Sequence, residues 1–186
     1  MQKQKNYQLA IIAVLAFAVL FMSVGFAAYA QTLNIQGTTT VAGNKWSVHF
    51  DTSTYQLGEG SVAETSKSIS DTTVEYTASL AKPGDYYLFS IDVVNDGTFD
   101  AVLNKITMST LDASQAKYLS YVVTYDGTPY SASADSLNLS LPTTSGANRK
   151  NVKVKVTYNQ PASAADLPAT AVNVTLSASL DYAQAN

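Results

Sequence analysis

Between Val74 and Met108 the chain alternates apolar and polar residues with a period of two. In the first run Val74, Tyr76, Ala78 and Leu80 share one side, and Glu75, Thr77 and Ser79 take the other. In the second, Tyr87, Phe89, Ile91 and Val93 oppose Ser90 and Asp92. Successive side chains of a strand point to opposite faces, so both runs read as half-buried β-strands. Lys82-Pro83-Gly84-Asp85 joins them and Asn95-Asp96-Gly97-Thr98 follows. Pro presets φ, and Gly and Asn tolerate positive φ, which is what tight turns need. The two runs are therefore expected to pair through the first turn, in the middle of an antiparallel sheet.

The same grammar recurs along the chain. Gln31–Val41 reads as a strand, or two short ones bent at Gly37; Trp46, Val48 and Phe50 alternate with Ser47 and His49. Tyr55–Ser70 is polar and mixed and reads as a loop with a weak strand near Val62. In Ala101–Leu111 the apolar Leu103, Ile106 and Met108 break register, which points to a bulge. Asp112 stands at an N-cap position before one helical turn. Strands follow at Leu119–Tyr125, Leu137–Leu141 and Val152–Tyr158. Asn159–Thr170 reads as a loop or one helical turn, and the last strand runs from Val172 to Tyr182. Eight or nine short strands with turn signals and no long helix predict an all-β fold. The expected form is a single antiparallel two-sheet sandwich, jelly-roll or immunoglobulin-like, over residues 31–186.

Composition agrees. Charged residues are only 13% of the chain, and twelve Tyr stand against one Trp and six Phe. Large rings with a polar tip suit the margins of a β core or a contact surface. There is no cysteine, so disulfides and thiolate metal sites are excluded. Beyond residue 30 nine basic residues face fourteen acidic ones, a net charge of −5. Nucleic acid is excluded as a partner, because its binding is driven by basic patches.

The N-terminus has the form of a targeting segment. Lys3 and Lys5 precede an apolar stretch, Leu9–Phe26, and Ala28-Tyr29-Ala30 matches the small-x-small site of signal peptidase. Cleavage before Gln31 would make residues 1–30 a signal peptide. Retention would make residues 9–26 a membrane anchor, at the short end of what crosses a bilayer. Either way the domain is expected outside the cell or at its surface.

Residues that could carry chemistry are few. His49 is the one histidine, and no H-E-x-x-H, G-x-S-x-G or phosphate-loop pattern occurs. Glu59, Glu64 and Glu75 are scattered, so no glycosidase pair can be named. Asp92, Asp96 and Asp100 cluster with Asn95 around one turn; they are weak calcium candidates, without the spacing of an EF-hand. Arg149, Lys150, Lys153 and Lys155 lie on or beside one strand face. That stripe reads either as solvated edge protection or as a contact for acidic polysaccharide or a neighbouring subunit. No enzyme activity and no cofactor are expected.

Two motifs carry a family resemblance. Val24-Gly25-Phe26-Ala27-Ala28-Tyr29-Ala30-Gln31-Thr32-Leu33-Asn34-Ile35-Gln36-Gly37-Thr38 resembles the signal-to-strand junction of a group of exported Firmicutes proteins. Lys82-Pro83-Gly84-Asp85 followed by Val93–Ala101 (VVNDGTFDA) is similar to a matching step in the TasA- and camelysin-like proteins of Gram-positive bacteria. The resemblance implies a jelly-roll sandwich, secretion to the cell surface and assembly into biofilm-matrix fibres. Camelysin-like members carry a metallopeptidase label, and nothing in this chain matches a zinc motif. For assembly, the strand Thr32–Val41 is expected either to pair within its own domain or to complete a neighbour's sheet, with Leu33 and Ile35 as anchors. The functional expectation is a structural or adhesive surface protein whose partners are its own copies or other surface proteins. The alternative is a membrane-anchored module recognising a carbohydrate or a protein.

Overall fold

The computed structural model describes residues 12, 13, 15, 16, 38–40, 42–170, 172 and 174–185. By its contacts the chain divides into two compact units, residues 1–42 and 43–186. In the first unit Ile12, Ala13, Leu15 and Ala16 are helical, and Thr38–Thr40 are exposed and form no strand. The cleavage residues Ala28, Ala30 and Gln31 and the anchors Leu33 and Ile35 lie outside the described residues. No helix among the described residues is long and apolar enough to cross a membrane.

The second unit is all-β, and all its strand pairings are antiparallel. Its strands are β1 (Val48–Leu57), β2 (Glu64–Ile69), β3 (Val74–Ala78), β4 (Tyr86–Asn95), β5 (Ala101–Met108), β6 (Leu119–Tyr125), β7 (Thr128–Tyr130), β8 (Leu139–Leu141), β9 (Arg149–Tyr158) and β10 (Ala178–Gln184). One sheet has five strands in the order β1-β4-β9-β6-β7, a second has three in the order β10-β5-β8, and β2 and β3 form a separate hairpin. All three contribute to one hydrophobic cluster. Tyr87, Phe89, Ile91 and Val93 of β4 meet Val152, Val154 and Val156 of β9, and Tyr121, Val123 and Tyr125 of β6. Ala101, Leu103, Ile106 and Met108 of β5 and Leu141 of β8 belong to the same cluster. Tyr76 of the hairpin stacks on Tyr87, with ring centroids 4.6 Å apart.

Strands with one buried face form as their alternation predicts. In β9 the buried Val152, Val154 and Val156 alternate with exposed Lys153 and Lys155. The anomaly in β5 is a bulge: Asp181 pairs with Lys105 and Tyr182 with Leu103, leaving Asn104 without an opposite. The extra residue reverses the phase, so Leu103 and Ile106, three apart, are both fully buried. Asp112 caps the short turn at Gln115–Lys117, its Oδ1 accepting from the Ser114 and Gln115 N–H groups, both at 2.8 Å.

Four expectations are corrected. The runs 74–80 and 86–95 do not pair with each other: β3 pairs with β2, and β4 lies between β1 and β9. The Pro83-Gly84-Asp85 turn is held by the end of β9, where Gly84 N–H donates to Tyr158 O (2.7 Å) and Tyr158 N–H to Asp85 O (2.9 Å). Tyr55–Ser70 is a loop only over residues 58–63, because β1 continues to Leu57 and β2 begins at Glu64. A long bulge between Asp51 and Gln56 makes that continuation, with Thr54 Oγ1 donating to Asp51 O (2.7 Å) and accepting from Asp92 N–H (2.9 Å). The strand expected at Leu137–Leu141 starts only at Leu139, since Ser136 and Asn138 both adopt positive φ. The last strand begins at Ala178 rather than Val172. Its partner β5 ends at Met108, and beyond it only Ser109 continues the ladder.

Candidate functional site

The turn after β4 is where the sequence placed most of its candidate ligands, and the structure gives each of them a separate partner. Asp92 faces outward from β4; its carboxylate accepts from Asn151 Nδ2 (2.7 Å) and pairs with Arg149 (3.1 Å). Asp96 lies 3.7 Å from His49 Nε2 and accepts from Asn148 Nδ2 at 3.4 Å. Asp100 accepts from the Thr143 N–H (2.8 Å) and hydroxyl (3.0 Å), tying β5 to the loop after β8. These are cross-strand and loop ties of the ordinary kind. Among the described residues no group of three or more His, Asp or Glu is placed to hold a metal ion.

The residue that organises this turn is Asn95, which sequence reasoning read as turn chemistry and as a neighbour of the candidate calcium ligands. It is 1% exposed. Its Nδ2 donates to Phe99 O (2.9 Å) and Leu141 O (3.0 Å), and its Oδ1 accepts from Gly97 N–H (3.0 Å). One side chain thus joins β4 of the five-stranded sheet to β8 of the three-stranded sheet. Every polar atom of the amide has a partner, which is the condition for burying one. Gly97 is hemmed in as well: a Cβ there would meet Lys45 O at 2.7 Å.

The basic stripe divides by partner. Arg149 bridges Asp51 (2.7 Å) and Asp92, spanning β1, β4 and β9, and Lys150 pairs with Asp126 (2.7 Å). The Ser53 hydroxyl, and after it Arg149, hold Asp51 below the usual carboxylate range. Lys155 sits over the Tyr86 ring, 4.5 Å from its centroid. Lys153 is exposed between Ser90 and Thr124. The outer face of the five-stranded sheet therefore carries the Asp51–Arg149–Asp92 network at one end and two lysines at the other.

Tyr87 and Tyr125 lie within the core, and further tyrosines line its margins. Tyr55 and Tyr87 share a hydroxyl hydrogen bond (2.8 Å), and Tyr182 donates to Tyr125 (3.2 Å). Burial pushes Tyr76 up to about 12 and raises Tyr87, Tyr121, Tyr125 and Tyr182 as well. Lys67 lies 4.0 Å over the Tyr55 ring and pairs with Glu64 (2.9 Å), holding that carboxyl below its usual value. The carboxylates of Glu64 near Tyr87 and Asp126 near Tyr125 add to the rise in those phenols. A shallow groove of about 200 Å³ on the hairpin, lined by Ser66, Lys67, Ser68, Glu75, Tyr76 and Thr77, is open and carries no converging set of reactive groups.

The remaining features able to engage another molecule are sheet margins. β7 and β8 are three residues each, the first containing Pro129 and the second followed by Pro142. β10 is a seven-residue edge with one charge, Asp181. No protein-family model matches the chain, and no curated protein matches it.

Proposed function

We propose that the chain is an exported, non-enzymatic surface protein: a two-sheet jelly-roll sandwich over residues 31–186 that serves as a structural or adhesive subunit. In this reading it assembles into matrix fibres like the TasA- and camelysin-like proteins whose motifs it resembles. The observation that carries it is how the polar groups are used. Asp51, Asp92, Asp96, Asp100 and Arg149 are tied into cross-strand pairs around one continuous core, so what is offered outward is backbone edge and flat sheet. Such surfaces bind by β-augmentation rather than by making or breaking bonds.

Negative-stain microscopy of the exported protein is the test. Fibres that disappear when residues 31–41 are deleted support the reading. Fibres unchanged by the deletion reject the N-terminal strand as the connector, and a monodisperse particle without fibres rejects the assembly.

A second reading rests on Lys153 and Lys155, exposed side by side on one sheet face. There the chain is an anchored module, held by residues 9–26, that presents this face to a carbohydrate or protein. N-terminal sequencing separates the two, with Gln31 expected for the released form and Met1 for the anchored one.

A further inference from the structure

We propose that β10 is a self-association edge, through which two copies of this chain pair antiparallel about a twofold axis at Ala178. Three observations meet there. The first is the state of the edge. β10 has a hydrogen-bonded neighbour, β5, on one side only among the described residues. Proteins blunt such edges with prolines, lysines or shortness. β7 and β8 are short and sit with prolines, and on β1 the Phe50 N–H is engaged by Asp71 O (2.7 Å). β10 has none of these devices.

The second is the direction of its backbone groups. Ser109 N–H donates to Ser177 O (2.9 Å), and Ala185 N–H donates to Asp100 O (2.8 Å). The register shift is absorbed on β5 at Asn104, so alternation along β10 is unbroken. Odd-numbered residues therefore turn their N–H and C=O toward β5, and Ala178, Leu180, Tyr182 and Gln184 turn theirs outward.

The third is self-complementarity. The apolar alternation continues upstream of β10 through Val174 and Leu176, and Val172 is 49% exposed, with no strand assigned. In an antiparallel pair centred on Ala178, Leu180 lies opposite Leu176 of the second copy and Tyr182 opposite its Val174. On the other face Ser179 meets Ser177 and Asp181 meets Thr175, so no like charges oppose. A slip of six residues, centring the pair on Asp181, would set the two aspartates against each other. The outward backbone groups of even-numbered residues supply the ladder. The product is a continuous six-stranded sheet made of two three-stranded ones.

This association is separate from the N-terminal connector: deleting residues 31–41 leaves it intact, and fibres can fail while it holds. The cysteine-free chain allows a direct test. Opposed Cα atoms in a hydrogen-bonded antiparallel pair lie about 5.5 Å apart, within disulfide reach. Full-length Ala178→Cys protein in mild detergent, treated with a copper–phenanthroline oxidant, is expected to run as a dimer of the 19.8 kDa chain on non-reducing gels. Ser66→Cys, on the exposed face of β2, is expected to stay monomeric. Adding Thr175→Asp to Ala178→Cys sets a carboxylate opposite Asp181 twice by symmetry and should reduce the dimer about tenfold. A further Asp181→Lys should restore it. Cross-linking of Ala178→Cys no greater than that of Ser66→Cys, or a Thr175→Asp change without effect, overturns the proposal.

Discussion

Asn95 works as a clamp because an amide can donate twice and accept once within a few ångströms. Asn95→Ala leaves the Phe99 and Leu141 carbonyls without their donor in a place water does not reach, and should lower unfolding free energy by about 3 kcal/mol. Asn95→Asp keeps the shape but turns an oxygen toward a carbonyl, so it is expected to be no better than alanine. Gly97→Ala fails for a different reason, since its Cβ would press on the Lys45 backbone carbonyl rather than on a movable side chain. About 2 kcal/mol is expected there. Urea unfolding decides both cases: the midpoint should fall while the slope stays constant, and a wild-type midpoint for Asn95→Ala would show that the two sheets are held elsewhere. None of this is visible locally. Asn-Asp-Gly announces a turn, and only the return of β8, with Leu141 46 residues later, converts its first residue into a buried tie.

At the scale of elements, hairpin geometry gives a clean case. Asp126 and Gly127 join β6 to β7 with φ of 46° and 86°, the two-residue turn whose twist matches the strands it links. A Cβ on Gly127 meets nothing within 4 Å, so Gly127→Ala reports backbone strain alone. A loss of about 1 kcal/mol in urea unfolding is expected; a loss several times larger would mean that the whole β6–β7 margin had come apart. The strands β4, β6 and β9 were legible in the sequence, because a buried face imposes strict alternation. Strand partnership was not. Pro83-Gly84-Asp85 has the chemistry of a hairpin turn, yet its backbone bonds to Tyr158, so the end of β9 takes the ladder that β3 was expected to fill. β2 (ETSKSI) escaped notice because its inward neighbour to Tyr55 is a lysine lying over the ring, which breaks an apolar count without breaking the packing. The candidate ligands Asp92, Asp96 and Asp100 were rightly placed near one turn, but alternation sends their carboxylates to different neighbours.

For the whole molecule, the tyrosines decide how the fold responds to pH. Tyr76, Tyr87, Tyr121, Tyr125 and Tyr182 all have folded values raised above 10, with burial the largest cause in each. A raised acid stays protonated in the fold and ionises on unfolding, so this stability is intact below pH 10 and is lost as pH rises through the folded values, near 12 for Tyr76. At the other end Asp51, Glu64 and Asp112 are held low, chiefly by Ser53, Lys67 and Ser114. Their contribution is present above the unfolded carboxylate range of about 4 and fades as pH falls below it. Asp51 and Asp112 keep contact with solvent, so acid should erode their share of stability gently, whereas the phenols sit among the packed layers and must be released together. Tyrosinate absorbance followed with far-ultraviolet circular dichroism distinguishes the outcomes. The buried set should ionise in one step with loss of sheet signal. If those five ionised near pH 10 while the sheet survived, the rings would be reachable by water and the core could not be the continuous layer that its packing describes.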